Sequence, residues 1–271
     1  MNFIIICSSQ DLAGKNIFKH IHEDFPMLNH YLIEEDSIYA DNIDKKLEGD
    51  FFIFATKHKS EQARKTLSIH APGNFKQAEF GGQEGKICLT STFFLKHLFI
   101  TLNKEVENAK SDYEVTLEVT HHGPYIEKPC CFIEIGSCEQ QWKDEEAGNI
   151  IARTIDKAIK TFEPNPEWKS AIGIGSSHYC PNFNKIQLNS NYALSHIISN
   201  YAFPITLETI KQAIEKTEEK VELAILDWKG MKGEERQEAV KILNQIGLKY
   251  LKTSETSKPQ ESKILDGSQK S

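Results

Sequence analysis

The chain has 271 residues, 39% of them hydrophobic and 26% charged, with a formal net charge of −7. That length suffices for one large domain or two small ones with a well-buried core. The acidic balance argues against broad, non-specific nucleic-acid binding, which needs many phosphate-neutralising cations, but leaves room for a local basic groove. No apolar run approaches the roughly 18–20 residues of a membrane span, and no basic segment precedes Phe3–Cys7 as it would in a signal peptide. None of the six cysteines forms a Cys-x-x-Cys pair. A cytoplasmic, reducing setting with cysteines as small core residues is therefore expected.

Phe3 to Cys7 is a continuous apolar run, as in a strand buried on both faces. The polar turn Ser8 to Gly14 follows, then Ile17, Phe18, Ile21 and Phe25 at helical spacing. This is the opening of an α/β unit. Its glycine spacing is not that of a phosphate-binding Walker loop. Residues 28–50 are charged and weakly patterned. Phe51 to Ala55 reads as a second buried strand that runs into Lys57 and His58, and His70 ends a shorter run before the Ala-Pro-Gly-Asn turn. Singly, His58 and His70 read as ordinary surface histidines. Ile87 to Leu89 is expected as a short strand. Phe94, Leu95, Leu98, Phe99, Leu102 and Val106 form the apolar face of a helix that Ser91 or Thr92 can cap. The stretch from about 57 to 90 is expected to form a small lobe or a long excursion.

Residues 118–136 stand out. Tyr113, Val115, Leu117 and Val119 alternate with polar residues, the period of a half-exposed or antiparallel strand. It runs into His121 and His122, and Gly123-Pro124 then stops it. A further run, Cys131 to Ile135, carries Glu134. Ser137 to Gln140 reads as a capping box for a helix that Pro164 and Pro166 end. Ala171 to Gly175 is a strand that runs into Ser176-Ser177-His178-Tyr179. Tyr192 to Ser199, with His196, reads as helical. Thr206 caps a helix, Val221 to Leu226 is a buried strand ending at Asp227-Trp228-Lys229, and Gly247 closes the last helix. Residues 253–271 are polar and read as a disordered tail after a single domain over 1–252. The alternation of buried strands and helices predicts a three-layer α/β/α architecture with a mixed, mostly parallel sheet. Its strand-terminal turns would gather His121, His122, Glu134, His178 and Asp227 around a crevice.

The ordered set Cys7-Ser-Ser-Gln-Asp11, His70-Ala-Pro-Gly-Asn-Phe75, Glu118-Val-Thr-His-His-Gly-Pro124, Phe132-Ile-Glu-Ile-Gly-Ser137, Gly173-Ile-Gly-Ser-Ser-His-Tyr179 and Asp227-Trp-Lys-Gly230 resembles the D-aminoacyl-tRNA deacylases of the archaeal and plant type. The resemblance covers residues 3–230. It departs at Ser176-Ser177, where the family pattern has two glycines. It implies hydrolysis of the ester between a D-amino acid and the terminal ribose of tRNA, a phosphorylase/hydrolase-like fold similar to peptidyl-tRNA hydrolase, and a zinc cofactor. D-aminoacyl-tRNA is then the expected partner, with no membrane and no protein partner. Along the matched motifs, His70, Asn74, Gly123, Tyr179, Asp227 and Lys229 are expected on the substrate side.

Ester hydrolysis needs an activated water and a stabilised oxyanion. A catalytic zinc usually keeps three protein ligands and one open position. His121, His122 and His178 lead the candidate ligands, with His196 and Glu134 next. Glu118 or Glu134 is the candidate general base, or the carboxylate that orients a ligand histidine. Adjacent residues of an extended segment point to opposite faces, so His121 and His122 must bend to act together. A zinc exopeptidase or amidohydrolase, and a non-catalytic tRNA-binding module, are the competing classes.

Overall fold

The computed structural model describes residues 1–61 and 63–256. Ten strands divide between two sheets, where the sequence reading expects one. The first holds β1 (Phe3–Ser8), β2 (His30–Ile33), β3 (Phe51–Lys59), β4 (Thr66–His70), β5 (Glu114–Leu117) and β6 (Cys130–Ser137) in the order β2-β1-β3-β6-β4-β5. The second holds β7 (Lys169–Ser176), β8 (Tyr192–Ser199), β9 (Leu223–Leu226) and β10 (Lys249–Lys252) in the order β10-β9-β7-β8. Among these pairings only β4 with β6 is antiparallel. The expected mixed, mostly parallel α/β architecture therefore holds.

Side-chain alternation explains the layers. In β1, β3 and β6, Phe3, Ile5, Cys7, Phe51, Ile53, Ala55, Cys131 and Ile133 form one buried set. It packs on α1 (Leu12–Asp24), α2 (Thr92–Ala109) and α4 (Glu145–Thr161) through Ile17, Ile21, Leu98, Phe99, Ile151 and Ile155. The alternate set, Ile4, Ile6, Phe52, Phe54, Cys130 and Phe132, is covered by Ala40, Ile43, Cys88 and Ile126. Short turns and extended chain supply these, so this face of the first sheet has no helical layer. The second sheet has helices on both faces. Phe183 and Ile186 of α5 (Pro181–Asn189) meet Ala171, Leu194 and Ile225. Ile210 of α6 (Leu207–Glu215) and Leu243 of α7 (Gly233–Gln245) meet Ile172 and Leu226. Residues of both sheets share one apolar cluster.

Several expectations are corrected. Tyr192–Ser199 is β8, not a helix, because its buried run pairs in parallel with β7, with register shifts after Ala171 and Ile174. The alternating stretch after Tyr113 gives a strand only to Leu117, parallel to β4 at the sheet edge, and residues 118–122 leave the ladder. Ile87 makes only an isolated bridge, to Gly73. Residues 139–161 form two helices, α3 (Glu139–Trp142) and α4, because Asp144 starts a new N-cap by accepting from Glu146 N–H. β3 and β4 place residues of the 57–90 stretch up to 70 in the first sheet, and among the described residues 71–90 run between β4 and α2 without a named strand or helix. Residues 253–255 form a 3-10 turn and Thr256 is buried, so the expected tail does not begin at 253. The rest of that predicted tail, 257–271, lies outside the described residues. Ser91 and Thr206 cap α2 and α6 as expected.

Candidate active site

The face of the first sheet that carries Phe54 and Phe132 turns polar two residues further along each strand, at Thr56 and Glu134, which pair across β3 and β6. His58 follows Thr56 on the same face, opposite Gly136. A side chain at Gly136 would collide with Thr66 Oγ1 and crowd the His58 ring, so the glycine makes the room that imidazole occupies. β4 ends at His70, and the Glu118 N–H donates to Ile69 O, which seats Glu118 beside it. The loop after β7 brings in His178, whose carbonyl accepts from Val119 N–H.

Two carboxylates and five imidazoles thereby share one crevice. Glu118 Oε1 lies 3.2 Å from His58 Nδ1, and Glu118 Oε2 lies 3.2 Å from His178 Nε2 and 3.6 Å from His121 Nε2. Glu134 Oε2 is 3.6 Å from His70 Nε2 and 3.7 Å from His58 Nδ1, and its Oε1 is 3.9 Å from His122 Nε2. The Tyr179 hydroxyl is 3.0 Å from His58 Nε2. Both carboxylates are buried, whereas the side chains of His178 and His121 are 32% and 24% exposed. Those two imidazoles form the mouth.

His122 has φ +45°, and this left-handed turn brings its ring to 4.3 Å, centroid to centroid, from that of His121. The bend that adjacent histidines need is therefore present. His70, His121 and His122 each have Nδ1 within hydrogen-bond distance of a backbone carbonyl, of Ala71, Val119 and Gly123 respectively. A carbonyl only accepts, so each Nδ1 carries the proton and each Nε2 keeps its lone pair. One donor atom from each of these three residues lies within 4.8 Å of the others. His58, Glu118 and His178 form a second such group, and His70, Glu118 and Glu134 a third. His70 Nε2, both Glu118 oxygens and Glu134 Oε2 are buried without a well-formed hydrogen bond, although ionic partners stand close by.

The charges divide along the same line. Burial alone would raise Glu118, but the imidazoles of His178 and His58, each 3.2 Å away, hold its carboxyl well below the usual range. Burial and the neighbouring Glu118 charge push Glu134 well above it. Burial lowers His58 and His178, yet the close Glu118 carboxylate leaves them raised on balance. Burial, reinforced by neighbouring imidazoles, lowers His70 to about 4 and His122 to about 3, and brings His121 well below the ordinary value. The crevice thus combines a neutral imidazole trio with an ionised carboxylate between two imidazoles whose affinity for protons it raises.

The structure gathers His121, His122, His178, Glu118, Glu134, His70 and Tyr179; the donor atoms of His121 and His122 group with His70, while His178, its ring centre 4.8 Å from that of His121, groups with His58 and Glu118. His58, read as a surface residue from sequence, belongs to the centre. Its only advance signal is its place beyond a buried strand. His196 stands apart from the crevice. It is buried on β8, donates Nε2–H to Lys216 O at 3.0 Å and receives the Thr120 hydroxyl at Nδ1, 3.1 Å away. That satisfied neutral ring has no lone pair to give a metal. Asn74 instead holds the Gly81 carbonyl, and Gly123 packs against the backbone of Gly81 and Gly82. Asp227 is buried and accepts from Asn182 Nδ2, and Lys229 lines a separate cavity.

Residues 45–251 match the family model described as D-aminoacyl-tRNA deacylase. Proteins of that name are similar to the chain over most of their length. The one from Pyrococcus furiosus is 38% identical, over 93% of this chain and 92% of its own. Those from Pyrococcus abyssi and Methanocaldococcus jannaschii are 34% and 33% identical, each over 92% of this chain and 99% of theirs. A crystal structure described as a conserved protein of unknown function has the same fold, with TM-score 0.86 and 30% identity, covering 94% of this chain and 96% of that one. Each strand that supplies the histidine–carboxylate crevice lies wholly within the matched span, and the chain belongs to the D-aminoacyl-tRNA deacylase family.

Proposed function

We propose that this chain hydrolyses the ester joining a D-amino acid to the terminal ribose of tRNA, and that the Glu118–Glu134–histidine crevice is the catalytic centre. The observation that carries this reading is Glu118, a buried carboxylate 3.2 Å from both His58 and His178 at the mouth of the crevice, in a chain of this family. No observation favours the exopeptidase or the non-catalytic alternative.

The donor set fits zinc. His70, His121 and His122 would hold it through Nε2, their Nδ1–H groups being committed to backbone carbonyls as orienting partners. Bound there, zinc would supply Lewis acidity, lowering the pKa of a bound water and polarising an ester carbonyl. The orphaned His70 Nε2 is the atom that most calls for such a partner.

The remaining groups supply proton transfer. Glu118 faces His178 Nε2 and fixes the ring, so His178 Nδ1 is the nitrogen directed outward, 3.4 Å from the Tyr201 hydroxyl. Neutral, Nδ1 takes a proton from the attacking water. Protonated, it returns one to the departing ribose oxygen. His58, held between Glu118 and the Tyr179 hydroxyl, keeps the carboxylate ionised and in place. Glu134, kept protonated by burial, avoids a second buried negative charge beside Glu118.

The test uses purified full-length protein and D-tyrosyl-tRNA. Release of D-tyrosine by wild type, with a loss of on the order of 10²–10⁴-fold in Glu118→Gln at unchanged melting temperature, is expected. Elemental analysis of the same sample should find zinc that His70→Ala releases. A Glu118→Gln variant with wild-type turnover would remove the crevice from the chemistry.

A further inference from the structure

Outside the crevice, a cavity of about 430 Å³ lies between α5 and the chain that leaves the carboxyl ends of β9 and β10. Lys185, Lys229 and Lys252 line it, and no aspartate or glutamate does. In a chain of net charge −7 that is a local reversal of sign. None of the three lysines forms an ion pair among the described residues. Trp228 stands in the wall with the Lys252 ammonium 4.4 Å and the Arg236 guanidinium 5.3 Å from its ring centre. The ring therefore holds cations near the cavity by cation–π attraction. Asn182, Asn189 and Ser190 add neutral polar groups to the lining.

Topology ties this cavity to the crevice. Lys252 pairs with Leu226 across β10 and β9, and Leu226 pairs with Ile174 across β9 and β7. Adjacent strands lie about 4.8 Å apart, so Lys252 is two strand spacings from the strand that delivers His178. Trp228 and Lys229 leave β9 at the same edge. Asn182 follows His178 by four residues, a span of at most roughly 14 Å of extended chain. Ligands of parallel α/β sheets sit at this edge.

We propose that the cavity lined by Lys185, Lys229 and Lys252 receives the phosphate–ribose backbone of the tRNA, while the aminoacyl ester enters the histidine crevice beside it. This rests on the proposed deacylase function and adds where the body of the substrate is held. A cavity lined by lysines, without carboxylates and beside the strand ends that carry the crevice, suits a polyanion. It does not suit a free amino acid, which needs a carboxylate for its ammonium.

The experiment compares full-length wild type with Lys185→Glu/Lys252→Glu, which leaves the crevice untouched. KM and kcat are measured on D-tyrosyl-tRNA, and the Kd for uncharged tRNA is followed against salt concentration. The expected result is a rise of tenfold or more in KM and Kd, with kcat within about twofold. The slope of log Kd against log salt should fall by about 1.4–1.8, since each lost phosphate contact removes roughly 0.7–0.9. A merely structural role would lower kcat and melting temperature together, and that pattern would overturn the proposal. Unchanged KM and Kd would overturn it as well. If the double reversal lowers the melting temperature, Lys185→Gln/Lys252→Gln decides by the same readouts. Wild-type protein that binds tRNA but releases no D-tyrosine would contradict the deacylase reading, while the salt titration would still test the cavity.

Discussion

Replacing Gly123 by alanine adds one methyl group at a close backbone contact beside His121 and His122. A Cβ there would lie closer than 3.0 Å to Gly82 N, Gly81 C and Ile38 O, all backbone atoms. Backbone cannot rotate away as a side chain does, so the loop carrying His121 and His122 must shift or the 81–82 turn must open. Overpacking of this kind costs about 1–3 kcal/mol, and three backbone collisions place the cost near the upper end. At about 2–4 °C per kcal/mol for a chain of this size, the melting temperature should fall by roughly 6–12 °C. Gly123 N–H also donates to Phe80 O, and His122 O accepts from Gly73 N–H at 2.7 Å, so the strain passes directly to His122. A displacement near 1 Å costs on the order of 10²-fold in rate. The assay is a thermal melt beside single-turnover release of D-tyrosine from D-tyrosyl-tRNA. Gly233→Ala, where an added Cβ meets nothing within 4 Å, is the control and should match wild type in both. A Gly123→Ala variant with wild-type melt and rate would refute the claim that close packing sets the position of His122.

Stability should depend on pH through the buried neutral imidazoles. In metal-free protein His70, His122 and His196 are lowered to about 4, 3 and 4, so below pH 6.5 the unfolded chain binds protons that the folded chain refuses. Each should cost about 2 kcal/mol between pH 6.5 and 5. The raised His58 and His178 act in the opposite window, their stabilisation being complete below 6.5 and lost as pH rises through their folded values. Urea unfolding at pH 6.5 and 5 after chelation checks this, and equal stability at both would contradict it. His121→Asn and His122→Asn should each lose on the order of 10²-fold or more in rate at similar melting temperatures, because the turn at His122 puts both rings in the crevice; a near-normal rate in either would remove that residue from the chemistry. Truncation after Thr256 should leave the melt unchanged. Truncation after Lys252 removes buried Thr256 and the Glu255 carboxylate that accepts from Lys252 N–H, and should cost about 1–2 kcal/mol; identical melts would show that residues 253–256 do not dock.

Local patterns in the sequence account for β1, β3, the Ser91 cap and the Thr206 cap, because each depends on a few neighbouring side chains. Tyr192–Ser199 was misread because a short apolar run with mixed polar residues has no decisive period. Only its pairing with β7 makes it a strand. β2 and β10 are four-residue edge strands with partly exposed side chains, too short to show alternation. In the site, Glu118, His121, His122 and Glu134 were legible because one stretch carries them all. His58 was not, and His70 was only through the family motif, since the pairings that bring them to Glu134 join segments more than 60 residues apart. His196 was placed among candidate ligands because sequence shows a histidine but not its hydrogen-bond partners. Its bonds to Thr120 and Lys216 satisfy the ring away from the crevice.

Chirally selective deacylation in this crevice is checked by single-turnover hydrolysis of matched D- and L-tyrosyl-tRNA by wild type and Glu118→Gln in parallel. Wild type should release D-tyrosine rapidly and L-tyrosine near the buffer rate, and Glu118→Gln should lose the D-specific rate. Equal rates on the two enantiomers, or a D-specific rate that survives the substitution, would contradict it.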